Sequence, residues 1–332
     1  MLNRPEGPGE VDTKVSIVII TKDTKELLEN LLQSIKKDLS LQPLIGKIII
    51  IDNASADTTE EMVKEKFPAV VYARNEKNMG FAFSVNKGAS LAEGEYVLFL
   101  NSDTVVMAGE LVKMISFMDS SADAAICGPQ LVYHDMRPQR SYAVVPSLSG
   151  EFFFRRGLKT QRARLNAQDS TPENQVHDSP FPVHSALTVD SLIGAAILVR
   201  KNILTTINGF DERFFFFLEE TDLCVRVRRI GYKVVFFPDA RIIHLQGKTV
   251  RKSWIKGRIE YNISLRKFIK KHHEPIYYSA FVAIRFIKTL FSVVLFPLVF
   301  FGRRMRIKYV YYLMLLKWYL KGCPDDMGLR GR

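Results

Sequence analysis

Polar side chains follow two apolar runs of this chain, at the point where each run ends. Residues 48–51 are four isoleucines followed by Asp52 and Asn53, and the apolar residues 96–100 precede Asn101, Ser102 and Asp103. Uninterrupted apolar runs are typical of strands buried on both faces of a parallel sheet. Open α/β sheets bind ligands beyond the carboxyl ends of their strands. The pattern therefore predicts a polar ligand site along one edge of such a sheet.

Asp103 and His244 are candidate metal ligands. A carboxylate at Asp103 suits Mg²⁺ or Mn²⁺, hard ions that prefer oxygen ligands and bridge phosphate groups. His244 ends a second strand-like run, residues 240–243, and an imidazole there could bind the same ion. Two alternatives remain open at this point, since Asp103 could cap a following helix and His244 could be an ordinary half-buried histidine.

A second acidic cluster consists of Glu219, Glu220 and Asp222. It follows the aromatic run 214–217 and Leu218, which could exclude water from it. Burial raises the pKa of a carboxyl group, so a member of this cluster could act as a general base. The alternative is that these acids occupy the first turn of a helix, where they favour its dipole.

Several weaker signals have local explanations as well as functional ones. Asp52 and Asn53 could accept hydrogen bonds from a pyrimidine base or merely hold an Asx turn. Gly80 would let the backbone approach a ligand closely, or it could be an ordinary glycine between a loop and a helix. His272 and His273, in a basic run, are expected to be solvated.

Alternating strand and helix patterns predict the architecture. Strands are expected at 15–20, 47–51, 70–74 and 96–100, with helices between them at 25–37, 57–67 and 81–91. This rhythm predicts an α/β fold with a mostly parallel central sheet and helices on both faces. Residues 1–14 are predicted to be a flexible extension without a signal-peptide pattern, and residues 15–245 a catalytic domain with a long mobile loop at 142–188.

The chain carries a net charge of +12, concentrated near its end. From residue 241 onward there are 20 Lys and Arg against 4 Asp and Glu, whereas the preceding residues carry 27 basic and 31 acidic side chains. The basic segment that begins at residue 241 predicts contact with an anionic surface.

The three cysteines are widely spaced, which fits a reducing compartment better than a disulfide framework.

Residues 246–332 are predicted to be helical and membrane-associated. Residues 277–301 are strongly apolar and aromatic, but Arg285 and Lys288 interrupt them, and the uncharged part spans 13 residues. A full span needs about 20 apolar residues, so an interfacial helical anchor is favoured over a single span. The alternative is that the helices pack on the catalytic domain or form a homodimer interface.

Seven segments together resemble family 2 glycosyltransferases of the GT-A fold, especially the bacterial rhamnosyltransferase-like branch that builds O-antigen and cell-wall polysaccharides. They are 15–20 (VSIVII), 50–55 (IIDNAS), 78–82 (NMGFA), 95–103 (EYVLFLNSD), 194–200 (GAAILVR), 209–215 (GFDERFF) and 219–226 (EETDLCVR).

The resemblance implies roles for individual residues. A carboxylate of the Glu219, Glu220 and Asp222 cluster would be the base, with Glu220 at the usual base position, although the family commonly has Asp there. Asp103 and His244 would hold Mg²⁺ or Mn²⁺. Gly194 and Ala195 would contact the acceptor. The nucleotide-sugar site would be formed by Thr21, Asp23, Asp52, Asn53, Asn78, Gly80, Asn86, Asn101 and Ser102. The metal motif of the family begins with Asp, whereas this chain has Asn101 at that position.

The implied function is a metal-dependent, inverting hexosyl transfer. The donor would be a nucleotide-diphosphate sugar, with dTDP-rhamnose favoured, and the acceptor a lipid-diphosphate-linked or polysaccharide glycan. The work would take place at the cytoplasmic face of the cell membrane, on its anionic surface. Two alternatives are a polyanion-binding or nucleic-acid-binding protein that uses the basic tail, and a catalytically silent nucleotide-sugar scaffold. Nucleic acid is not expected as a partner, because the tail shows no recognisable binding motif.

Overall fold

The computed structural model describes residues 13–148, 186–245, 254–299 and 303–330. In chain order the elements are β1 (Val15–Thr21), α1 (Lys25–Lys37), β2 (Ile45–Asp52), α2 (Thr59–Lys66), β3 (Val71–Arg74), α3 (Phe81–Ser90), β4 (Tyr96–Asn101), β5 (Thr104–Val106), α4 (Glu110–Asp119), β6 (Ala124–Val132), β7 (Tyr142–Ala143), β8 (Leu187–Thr188), β9 (Ser191–Leu192), β10 (Ala196–Arg200), α5 (Lys201–Thr206), α6 (Glu219–Arg229), β11 (Lys233–His244), α7 (Trp254–His272), α8 (Pro275–Val299) and α9 (Arg303–Leu320).

The central sheet is mixed, with the order β3-β2-β1-β4-β10-β6-β11-β5 and β8 attached to β11. Strands β3, β2, β1 and β4 are parallel, as the βαβ pattern predicts. Strand β10 then runs antiparallel to both β4 and β6, while β6 and β11 are parallel to each other. The parallel half therefore presents the carboxyl ends of its strands at one edge.

The apolar strands of this sheet are covered on both faces. In β1, Ile17 and Ile19 belong to one buried cluster, whereas Val18 between them belongs to a second cluster on the opposite face. This alternation explains why the strands are continuously apolar, because neither face meets water. Helix α3 lies close to the second face, where Gly88 contacts Val18 and Ile51.

Three features differ from the sequence-based expectations. The strand-like run 240–243 was expected to be a short strand ending at His244, but it is the last part of β11, one strand of 12 residues with irregular pairing between Phe237 and Arg241. Strand β5, immediately after Asp103, was not expected. The predicted loop at 142–188 lies mostly outside the described residues, yet its two ends form the short strands β7 and β8.

The C-terminal helices pack on the α/β domain. Leu265 and Phe268 of α7 form a buried cluster with Phe214 and with Phe281 of α8. Trp318 of α9 packs against Ile259 and Ile263 of α7. The ring of Phe286 in α8 contacts Tyr319 at the end of α9, so these two helices form an antiparallel hairpin.

One helix among the described residues is long and apolar enough to cross a membrane by length and composition. It covers Pro275–Leu295 within α8, and only 11% of it is buried against the protein. Core helices of soluble proteins are mostly buried, so this exposure sets α8 apart from an ordinary core helix.

The close approach of α3 to the sheet yields a stability prediction. A Cβ on Gly88 would overlap the side chain of Val18, so Gly88→Ala is expected to destabilise the fold by about 1–3 kcal/mol despite the better helix propensity of Ala. Urea unfolding measures the change. The control is Ser90→Ala at an exposed position of the same helix, expected within about 0.5 kcal/mol of wild type. Equal stability of the two variants would contradict the tight helix–sheet contact.

Candidate active site

The sheet brings Asp103 and His244 together from distant parts of the sequence. Strand β11 pairs antiparallel with β5, so that His244 lies opposite Thr104, and the Leu245 N–H donates to the carbonyl of Asp103 at 2.9 Å. The imidazole Nε2 of His244 then lies 3.5 Å from Oδ1 of Asp103. A strand follows Asp103 directly, so the alternative role as a helix cap is excluded.

The chemistry of this pair fits a hard divalent ion. Ligands held at about 2.1 Å from one ion can be at most about 4.2 Å apart, and the two side chains satisfy this limit. Their side chains are 13% and 11% exposed, and His244 opens into a cavity of about 280 Å³. Among the described residues no three His, Cys, Asp or Glu side chains converge. An ion at this pair would take its other ligands from water and substrate oxygens, as Mg²⁺ commonly does.

Hydrogen bonds fix residues 101–103, the segment that carries Asp103, to the neighbouring strand and loop. The Asn101 N–H donates to the carbonyl of Ala195 at 2.9 Å, which ties the end of β4 to the start of β10. The hydroxyls of Ser102 and Thr24 lie 2.9 Å apart, and that of Thr24 lies 2.8 Å from the hydroxyl of Thr21. Thr21 and Ser102 are buried in this chain of hydroxyls, and their contact with a donor stays a prediction.

The second acidic cluster begins at a strained piece of backbone. Phe217 and Leu218 adopt left-handed φ angles of 71° and 65°, which are costly for non-glycine residues. The segment is fastened on both sides, because the carbonyl of Phe215 accepts from the Phe81 N–H at 2.7 Å and the carbonyl of Phe216 accepts from Ser264 Oγ at 2.8 Å. Helix α6 therefore starts at Glu219 in a direction set by α3 and α7.

Glu219 and Glu220 lie in an environment that disfavours their charge. Glu219 is buried, Glu220 is half-buried, and each has a buried Oε2 atom without a hydrogen-bond partner. Burial raises the pKa of Glu220 to about 7. Burial and the neighbouring Glu220 also raise the pKa of Glu219 well above its ordinary value. A pKa near 7 is what a general base needs at neutral pH.

The predicted acceptor residues lie beside this carboxylate. A Cβ on Gly194 would be 3.5 Å from Cγ of Glu220, an ordinary contact distance. The next residue, Ala195, holds Asn101 through its carbonyl. Two consecutive residues before β10 therefore connect the two acidic regions. Gly194 lies beside Glu220, and Ala195 is bonded to Asn101 in the segment that carries Asp103.

Asp222, predicted as a third catalytic candidate, is engaged inside the protein. It is fully buried, and its carboxylate receives Arg226 Nε at 2.7 Å, Lys271 Nζ at 2.6 Å and His272 Nε2 at 2.7 Å. The His272 and Lys271 hydrogen bonds lower the pKa of Asp222 despite its burial. A paired, acidic carboxylate suits a role in positioning α6 against α7, so the base assignment narrows to Glu219 and Glu220.

The expectation that His272 is solvated was wrong. Its side chain is 3% exposed and lies against Asp222 and the ring of Phe268. The basic run misled the prediction, since α7 turns one face of that run onto the catalytic domain. The sequence analysis therefore did not anticipate that His272 helps to position α6.

The predicted nucleotide-binding residues hold one another in place. Asp52 is buried, and its carboxylate accepts from the Ser55 N–H and hydroxyl at 2.8 and 2.7 Å and from the hydroxyl of Tyr72. The amide of Asn53 donates to the Gly80 carbonyl at 3.1 Å and accepts from Ser84 Oγ at 2.8 Å. These bonds give Asp52 and Asn53 a structural role in the loop. The Asp52 carboxylate bonds the backbone three residues ahead rather than the two of an Asx turn, and recognition of a base stays a prediction.

The remaining predicted residues lie around the same edge. Asn78 accepts from the Gly80 N–H at 3.1 Å, and Asp23 accepts from the Ala56 N–H at 2.7 Å. Gly80 has a φ of 87°, and a Cβ there would meet Phe215 at 2.6 Å, so both conformation and space require glycine. Asn86 instead faces the turn before α6, exchanging two hydrogen bonds of 2.8 Å with the backbone of Phe210.

Sequence reasoning also missed two polar residues that contact the predicted site or the segment before it. Ser264 fastens the Phe216 carbonyl, and Gln139 contacts Nδ1 of His244 at 3.1 Å. Neither belongs to a run or spacing that marks a site. Only the folded arrangement shows what they touch.

Comparison with known proteins identifies the family. The family description "Glycosyl transferase family group 2" matches residues 96–321, and "Glycosyl transferase family 2" matches residues 16–174. The chain belongs to the family 2 group of glycosyltransferases. It is similar to N-acetylglucosaminyl-diphospho-decaprenol L-rhamnosyltransferase of Mycobacterium tuberculosis, with 25% identity over 59% of this chain and 66% of that protein, just under two thirds of its length. It is also similar to rhamnosyltransferase WbbL of Escherichia coli, with 23% identity over 69% of this chain and 83% of WbbL.

A solved structure supports the fold assignment. The mannosyltransferase PcManGT from Pyrobaculum calidifontis, in complex with GDP-Man and Mn²⁺, superposes with a TM-score of 0.54 at 13% identity, covering 97% of this chain and 92% of PcManGT. This superposition confirms the predicted GT-A fold, and the family matches at residues 16–174 and 96–321 confirm the predicted glycosyltransferase family.

The environment of Glu220 predicts an opposite pH dependence for activity and for stability. If Glu220 is the base, kcat/KM of wild type is expected to rise with pH through about 7, as the carboxyl loses its proton. Between pH 4.5 and about 7 the folded state retains a proton that the unfolded state has lost, so stability falls as pH rises through this window. Urea unfolding across pH measures the second effect.

The matched variants for this test are Glu220→Gln and Glu65→Gln, the latter at an exposed position of α2. Glu220→Gln is expected to flatten part of the stability slope, with the rest due to Glu219, and Glu65→Gln to keep the wild-type slope. A Glu220→Gln profile that overlays wild type would show that Glu220 titrates normally.

Proposed function

We propose that the protein is an inverting glycosyltransferase with Glu220 as its general base. The observation that carries the proposal is the half-buried carboxylate with a pKa near 7, set against Gly194 and joined through Ala195 to the loop of Asp103. It supports a site in which the acceptor hydroxyl is deprotonated next to the leaving diphosphate.

The reaction is a single displacement at the anomeric carbon. The acceptor oxygen forms the new bond to that carbon as the bond to the diphosphate oxygen breaks, and the acceptor proton passes to Glu220. Asp103 and His244 would hold Mg²⁺ or Mn²⁺, which supplies positive charge for the leaving diphosphate. Phe214 and Phe215, just before α6, are buried, and the strained turn at Phe217 and Leu218 sets the direction in which the helix of the base begins.

The relatives guide the choice of substrates. The names of two relatives specify rhamnosyl transfer, and one of them names a diphospho-decaprenol acceptor. We therefore favour dTDP-rhamnose as donor and a lipid-diphosphate-linked glycan as acceptor, at the cytoplasmic face of the membrane.

The hairpin of α8 and α9 supports an interfacial membrane anchor. Its outer surface exposes apolar side chains at helical spacing: Ile287, Leu290, Phe291, Val294 and Leu295 on α8, with Ile307, Val310 and Leu313 on α9. Contiguous exposed apolar surface of this kind marks contact with a membrane or a protein. Arg306 and Lys308 are exposed near the start of α9, where they would meet anionic headgroups.

Charge placement favours the interface over a full span. Arg285 turns inward, where its guanidinium donates to Asn262 of α7 at 2.5 Å and lies over the ring of Phe281. It therefore does not interrupt the outer apolar surface. A spanning hairpin would carry the cationic Arg306 and Lys308 of α9 across the bilayer, at a cost of roughly 2.5–3.5 kcal/mol for each charge at the bilayer centre.

A donor screen tests the proposed reaction. Release of nucleoside diphosphate from a panel of nucleotide sugars, with a lipid-diphosphate sugar acceptor, is expected to need Mg²⁺ or Mn²⁺ and to stop with EDTA. Glu220→Gln is expected to lower kcat by about 10²–10⁴-fold, because it removes the base. Asp103→Ala should raise the metal requirement, and Glu65→Gln should match wild type. Donor binding without turnover under every condition would favour the silent scaffold.

Liposome flotation tests the anchor. The double substitution Phe291→Ser with Leu295→Ser is expected to weaken binding to anionic liposomes by about tenfold or more, since burying each such side chain contributes about 1.5–3 kcal/mol. The control is Leu39→Ser, which removes an exposed leucine that is not part of the hairpin. Unchanged flotation, combined with conversion of a dimer to a monomer in analytical ultracentrifugation, would assign the same surface to a homodimer.

A further inference from the structure

Gln139 lies directly behind the candidate metal ligand His244. It ends the short hairpin that follows β6, where its N–H donates to the carbonyl of Leu131 at 2.7 Å. The side chain is buried and points between Val132 and His244. Its position raises the question of what a buried amide does on the far side of an imidazole from Asp103.

The hydrogen bonds around Gln139 determine which way its amide faces. One end of the amide lies 3.1 Å from the carbonyl oxygen of Val132 and 2.6 Å from that of His244. Carbonyl oxygens only accept hydrogen bonds, so this end must be the NH₂ group. The other end is therefore the oxygen, and it lies 3.1 Å from Nδ1 of His244.

An amide oxygen only accepts, so Nδ1 of His244 must carry the hydrogen. In the neutral imidazole the second nitrogen, Nε2, then has a free lone pair, and this is the nitrogen that lies 3.5 Å from Asp103. Metal-binding histidines are commonly oriented by such a bond from their other nitrogen. We infer that Gln139 is a positioning residue that holds His244 as the Nδ1–H tautomer and leaves Nε2 free to bind a divalent ion beside Asp103.

This inference rests on the proposed metal site, and a matched control separates it from a general effect on the loop. Gln130 fastens the same hairpin, donating to the carbonyls of Leu131 and Gln139 at 2.7 and 2.8 Å and to Ser141 Oγ at 2.9 Å. None of these bonds reaches the imidazole. Gln139→Met and Gln130→Met thus both remove loop hydrogen bonds, but only the first removes the acceptor for Nδ1–H.

The first measurement is the tautomer in the full-length, metal-free protein. ¹⁵N-histidine labelling distinguishes protonated from unprotonated ring nitrogens, and His244→Asn identifies the His244 signals. Wild type and Gln130→Met are expected to show Nδ1 protonated and Nε2 unprotonated at a pH where the ring is neutral. Gln139→Met is expected to lose this preference.

The second measurement is binding of Mn²⁺ alone, followed by electron paramagnetic resonance of the free ion. Gln139→Met is expected to weaken binding by about 10–100-fold, whereas Gln130→Met should bind as wild type does. An Nε2–H tautomer in wild type, or equal affinities in the two methionine variants, would overturn the role of Gln139. Absence of Mn²⁺ binding in wild type, with the Nδ1–H tautomer present, would instead overturn the metal site itself.

Discussion

The placement of the candidate base depends on a strained four-residue segment that the rest of the protein fastens. Residues 215–218 carry two consecutive left-handed backbone angles, at Phe217 and Leu218, and such angles persist only where surrounding contacts impose them. Here the contacts come from opposite sides, the Phe81 N–H at the start of α3 and the Ser264 hydroxyl on α7. Helices α3 and α7 thereby position the same carboxylates.

Neighbouring acids of α6 have opposite electrostatic surroundings. Glu220 is half-buried with an unpartnered oxygen, so burial raises its pKa to about 7. Two residues later, Asp222 is met by Lys271, His272 and Arg226, which lower its pKa. Lys271 also bridges to Asp211 in the preceding turn. One helix thus presents a carboxylate that can take up a proton and a second that fastens the helix, because their environments differ.

Much of the fold followed from the pattern of apolar residues. The parallel strands β1 to β4 and their helices were predicted because both faces of the strands are covered and local periodicity reports that burial directly. The antiparallel insertion of β10 and the pairing of β5 with β11 were not predicted, since they join segments about 70 to 140 residues apart along the chain, and local pattern carries no information on such pairing. Within the site, the motifs marked Asp103, His244 and Glu220, but not Ser264 or Gln139.

The sequence by itself determined the GT-A family, the chemical types available at the edge of the sheet and the concentration of basic and apolar residues near the end of the chain. The tertiary structure alone decided which of these groups meet. Among the described residues, it left Glu220 without an ion-pair partner while pairing Asp222, turned Arg285 toward Asn262, and placed Gln139 against Nδ1 of His244. The physical reason is that burial, pKa and hydrogen-bond direction depend on neighbours in space, and the residues that supply them here come from helices and strands remote in the chain.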